Sequence, residues 1–149
     1  MKYILLVILL ALLAYSFIDN RSDEEKFIEE FNNNTLIFEK IKELACVINS
    51  KNGPIRTNNL ENLNNQALSD YLDELNISGI DVTEKNGKCL ISLYRAGFGF
   101  GFSGYSYHYR LNIENPNFEH SSEKTKVHKG AYSYDIKLSD EWVLTFKQT

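Results

Sequence analysis

The sequence predicts an α+β fold, in which amphipathic helices cover one face of an antiparallel β-meander of about five to six strands. Two observations carry this. Apolar residues recur at helical spacing up to Leu75, and the period switches to alternation from Ile80 onward. Asn86-Gly87 between alternating runs then marks a tight hairpin.

Composition bounds the rest. The chain has 149 residues, 43% hydrophobic and 24% charged, which fits one globular domain and excludes wholesale disorder. With Lys+Arg 16 against Asp+Glu 20, the formal charge is −4. That balance argues against nucleic acid as a partner, because such binders carry a basic stripe. Aromatic residues reach 13%, with nine Tyr and nine Phe.

Tyr3 to Ile18 is uniformly apolar, follows Lys2 and precedes Asp19. At about 1.5 Å per residue it would make roughly 24 Å of helix, short for a membrane span and long for a signal-peptide core. Two readings follow. Residues 1–21 are a cleaved signal peptide, with Ala14-Tyr15-Ser16 as the small-x-small pattern, or an uncleaved anchor that makes the membrane a partner through residues 3–18. Both place residues 22–149 outside the cytoplasm, either anchored or periplasmic and secreted, as one domain. No Cys follows the run, so a lipoprotein anchor is excluded. Cys46 and Cys89 are the only cysteines, both in apolar context, and are expected to form a disulfide in an oxidising compartment.

The first soluble helix opens at Ser22-x-x-Glu25, a capping box. Phe27, Phe31, Phe38, Ile41, Ala45 and Ile48 form one face, with Asn32-Asn33-Asn34 as a break and Asn52-Gly53-Pro54 as the end. A second helix is expected from Asn58, with Leu60, Leu63, Ala67, Leu68, Tyr71 and Leu75 inward.

Three hairpins follow. Around Asn86-Gly87, Val82 should face Ile91 and Ile80 should face Leu93, which aims Cys89 at the helices. A turn at Ser103-Gly104 should set Phe102 against Tyr105, Phe100 against Tyr107, Phe98 against Tyr109 and Ala96 against Leu111. That needs a bulge between Tyr94 and Gly97 to keep Ile91 and Leu93 inward. A three-residue loop at Ser139-Asp140-Glu141 should pair Ile136 with Leu144 and Tyr134 with Phe146. Glu114 to Gly130 is a long polar connection.

Catalytic patterns are weak. Gly99-x-Gly101-x-x-Gly104 has the dinucleotide spacing, but a strand follows where a helix N-terminus is needed. His108, His120 and His128 form no metal-binding pair, so no metal and no cofactor are expected. His108 could act as acid or base with Ser106. Paired cysteines cannot supply a thiolate nucleophile. The order of apolar helix, amphipathic helix and sheet is similar in architecture to type IV pilins. Tyr3 to Ile18 carries neither the processing glycine nor the glutamate of that family, so the similarity extends to no motif.

The expected function is therefore a non-catalytic binding module that engages an envelope protein, as an immunity or inhibitor protein or an assembly accessory does. A small hydrolase using His108 and a pilin-like subunit are the alternatives. The expected binding residues are Tyr105, Tyr107, His108 and Arg110, since Tyr and Arg anchor interfaces.

Overall fold

The computed structural model describes residues 21–100, 103–118 and 131–149. The apolar run at residues 3–18, His120, His128 and the middle of the polar connection lie outside the described residues.

Helix α1 (Asp23–Asn33) begins at the expected capping box. Ser22 Oγ accepts from Glu25 N at 3.3 Å, and Glu25 Oε2 accepts from Ser22 N at 2.8 Å. Asn34 interrupts the helix, its Nδ2 donating to Glu30 O at 2.8 Å, and α2 (Thr35–Asn52) follows. Gly53 stops α2 at φ +86°, a conformation glycine adopts without cost, and Pro54 cannot continue the helix.

The next segment departs from expectation. Residues Ile55–Thr57 form a short strand, β1, and the helix expected from Asn58 begins later, as α3 (Gln66–Glu74). Asn59 Oδ1 accepts from Glu61 N at 3.0 Å and Thr57 Oγ1 from Asn59 N at 3.0 Å, so side chains take the amides that a helix would have used. The working cap is Asn65, which accepts from Leu68 N at 2.8 Å. Leu68, Leu72 and Leu75 are then buried.

Strands β2 (Gly79–Lys85), β3 (Lys88–Phe100), β4 (Ser103–Leu111), β5 (Tyr132–Lys137) and β6 (Trp142–Gln148) complete a six-stranded antiparallel sheet of order β1-β2-β3-β4-β6-β5. It is not a simple meander. The connection after β4 delivers β5 to the far edge, and β6 returns to fill the place beside β4. Asn86 at φ +54° and Gly87 at φ +73° make the first hairpin turn, with Val82 opposite Ile91 and Ile80 opposite Leu93 as expected. The last hairpin also keeps its expected register, Ile136 opposite Leu144 and Tyr134 opposite Phe146.

The β3–β4 register is a correction. Phe98 faces Tyr105 rather than Tyr109, Ala96 faces Tyr107 rather than Leu111, and Phe100 faces Ser103 rather than Tyr107. The core decides this, because Ile91 must meet Leu111 and Leu93 must meet Tyr109 once β2 holds β3 in place. The expected bulge is present, between Tyr94 and Ala96. It turns Arg95 toward the helices, where the guanidinium contacts Glu30 Oε1 and Oε2 at 2.8–3.1 Å and lies 5.1 Å over the Phe27 ring.

The core lies between the helices and one sheet face. Phe38 sits at its centre, 4.7 Å from the Tyr109 ring and 5.4 Å from Trp142. The Cys46–Cys89 disulfide, with Cα atoms 5.8 Å apart, ties α2 to β3. The buried tyrosines find their polar partners on α1. Tyr109 Oη lies 2.8 Å from Phe27 O and 2.9 Å from Glu30 Oε1, and Tyr134 donates to the buried Glu24 carboxylate. Thus α1 is held through two carboxylate contacts as well as by Phe27 and Phe31.

Candidate functional site on the helix-free face of the sheet

Alternation divides the four expected binding residues between two faces. Tyr107 points to the helices and is buried, with its ring 5.0 Å from Phe27 and 5.3 Å from Phe146. Tyr105 is on the same side at the rim, 38% exposed, its ring 6.1 Å from Phe146. His108 and Arg110 occupy the opposite face. The structure therefore does not bring all four together. It brings His108 and Arg110 together with residues that sequence inspection passed over.

Register builds a lateral row on that face. Tyr94 of β3 is opposite His108 of β4, His108 is opposite Thr145 of β6, and Thr145 is opposite Asp135 of β5. His108, expected as a binding residue, is only 5% exposed. The Tyr94 and His108 rings meet at a steep angle of 62°, with centroids 4.6 Å apart. Ser106 Oγ lies 2.8 Å from His108 Nε2, while Nδ1 is buried with no hydrogen-bond partner among the described residues. Burial first, then Lys147 and Arg110, push the His108 pKa down to about 4, so the ring is neutral at pH 7. A neutral imidazole has one donor and one acceptor nitrogen, so either tautomer leaves Nδ1 unsatisfied here.

Asp135 is satisfied instead. Thr145 Oγ1 donates to its Oδ1 and Asn117 N donates to its Oδ2 at 2.7 Å. Asp135 N donates to Asn117 O at 2.7 Å, and Asn117 Nδ2 donates to Ser133 O at 2.9 Å. Asn117 thereby covers part of the β5 edge, where open strands invite pairing with other chains.

Two cations flank His108. Ser106 is opposite Lys147 and Arg110 is opposite Val143, so Lys147 and Arg110 bracket the His108 row on one face. The Lys147 pKa is lowered, by desolvation first and then by Arg110. Among the described residues neither cation has a carboxylate within ion-pair distance. Beyond Arg110 toward β1, the face sinks into an open cleft of about 400 Å³. Arg56, Asp81, Thr83, Ser92, Arg110 and Glu114 contribute to its walls, with Leu90 and Ile113 as apolar patches. The Arg56–Asp81 pair at 2.9 Å and the Lys85–Glu114 pair neutralise one another across the rim, leaving Arg110 as the wall's unpaired charge.

The other chemical patterns lead elsewhere. Gly99 and Gly104 are cross-strand partners and no helix follows them, so the glycine spacing serves a hairpin and cradles no phosphate. Among the described residues no three His, Cys, Asp or Glu side chains cluster to hold a metal ion, and no helix is long and apolar enough to cross a membrane. Lys147 could have been found in the sequence, since alternation from Phe146 puts it opposite the core.

Fold and site together define a disulfide-bonded two-layer α+β domain with one sheet face left open by its helices. No family model matches the chain, and neither the curated proteins nor the solved structures contain a match.

Proposed function

We propose that this chain is a non-catalytic binding module, held at or exported across a membrane through residues 3–18, that engages an envelope protein with the helix-free face of its sheet. The observation carrying this is the concave cleft of about 400 Å³ on the face that none of the described helices covers, ending at Arg110, which has no ion-pair partner among the described residues. A sheet closed on one side by helices and hollowed on the other offers a rigid surface, which lowers the ordering cost of association. The Cys46–Cys89 bond supports an oxidising compartment. The test is to fill the cleft. Ser92→Trp or Thr83→Trp should abolish retention of the partner from membranes, while Leu36→Trp, on the exposed side of α2, should leave it intact. Equal retention by all three variants would refute the reading.

One observation favours a second reading, a small hydrolase. The 2.8 Å contact between Ser106 Oγ and His108 Nε2 has the geometry of a nucleophile and its base. Yet no carboxylate orients Nδ1, and the imidazole is buried. A fluorophosphonate probe decides the matter: covalent labelling of Ser106 would support hydrolysis, and its absence under native conditions supports binding.

A further inference from the structure

We infer that the helix-free face receives an oxyanionic group, a carboxylate or a phosphate, between Arg110 and Lys147. This rests on the binding reading and specifies the chemistry of what is bound.

The first support is charge pairing. The chain has more acidic than basic residues, 20 against 16, so carboxylates are plentiful. Arg56, Lys42, Lys85, Arg95 and Lys137 each lie against one. Arg110 and Lys147 instead stand on one face, a row to either side of His108, with no carboxylate in ion-pair contact among the described residues, and Arg110 helps to lower the Lys147 pKa. Asp135 is the acidic group acting on Lys147, and its oxygens are already engaged by Thr145 and Asn117. The sheet register holds both side chains on one face, so neither can leave for the other side.

The second support is independent. Between the cations lies His108, nine-tenths buried, with a ring nitrogen lacking a partner. Buried polar atoms are rarely left unpaired, and an orphan beside uncompensated charge marks a place where another group completes the contacts. Arg presents a planar fork matched to carboxylate and phosphate oxygens, and Lys adds a point charge. For Nδ1 to donate to an oxyanion Nε2 must accept, and the Ser106 hydroxyl, 2.8 Å from Nε2, is placed to donate to it and hold that tautomer.

The experiment follows the His108 ring proton by NMR in the full chain in mild detergent. Sodium acetate and sodium phosphate are titrated separately at fixed pH and at fixed ionic strength maintained with chloride. His108→Asn identifies the resonance against His120 and His128. Saturable movement with acetate alone assigns a carboxylate, with phosphate alone a phosphate, and with both a general oxyanion site. Arg110→Gln and Lys147→Gln should each raise the half-saturation concentration about tenfold. Movement that is linear, or unchanged in both variants, overturns the inference. Partner retention separates this from the broader reading. If the double variant still retains the partner while Ser92→Trp does not, the face binds but the oxyanion does not direct it, and the inference falls alone.

Discussion

Tyr109 Oη stands 2.9 Å from Glu30 Oε1, while the same carboxylate forks onto Arg95, so one acidic side chain joins the first helix to two strands. The contact exists because the bulge after Tyr94 turns Arg95 to the helix side. Arg95 and Glu30 are each 19% exposed, which places the pair between a surface ion pair and a buried one. Hydrogen bonds to charged groups contribute about 1.5–3 kcal/mol. Glu30→Gln should lower unfolding stability by about that amount in urea titration. An unchanged midpoint would mean that Phe27 and Phe31 alone hold α1.

The disulfide sets a second expectation. Its closed loop spans a sequence separation of 43, for which chain entropy predicts about 4 kcal/mol. Reduction should lower the unfolding midpoint accordingly, and native protein should not be alkylated without reductant. Ready alkylation, or a midpoint indifferent to reductant, would contradict the bond.

His108 links stability to pH. Its pKa is lowered from 6.5 to about 4 in the folded chain, by burial and by Lys147 and Arg110. Between those values the unfolded chain binds the extra proton, so folding is favoured above pH 6.5 and loses stability as pH falls toward 4. The shift corresponds to about 3 kcal/mol. His108→Gln should flatten the difference between pH 7 and pH 4.5 in paired urea titrations, by comparison with the native chain. Carboxylates titrate in the same range, so the comparison isolates the histidine. Identical slopes would show that His108 is not held neutral.

Trp142 tests the core. It is 1% exposed against Phe31 and Phe38, and truncating a buried Trp costs about 3–5 kcal/mol. Trp142→Ala should therefore melt many degrees lower in a calorimetric scan. A small change would place the last hairpin outside the cooperative unit.

Much of this architecture was legible where one chemistry dominated. Ser22 with Glu25, Asn86 with Gly87, and Ser139 to Glu141 each specify a local geometry, and each forms as expected. The β3–β4 register was not legible because the Phe-Gly and Tyr-Ser alternations repeat every two residues. Sliding by an even number preserves every facing, and only contacts with β2 and β6 choose among the slides. Strand β1 is three residues long and gains its form from pairing with β2, so it left no periodic signal. The order of β5 and β6 depends on a connection that carries no apolar pattern. At the site, alternation sufficed to put His108 and Arg110 on one face. His108 is nonetheless buried, and its row with Tyr94 and Thr145 is set by tertiary pairing.

The central claim is that the open sheet face is the binding surface, and site-specific photocrosslinking tests it most directly. A benzoylphenylalanine placed at Ser92, in the cleft, should yield one dominant protein adduct in intact membranes. The same group at Leu36, 82% exposed on the helix layer, should yield none above background. Adduct formation from Leu36 with none from Ser92 would contradict the account and move the binding surface to the helices.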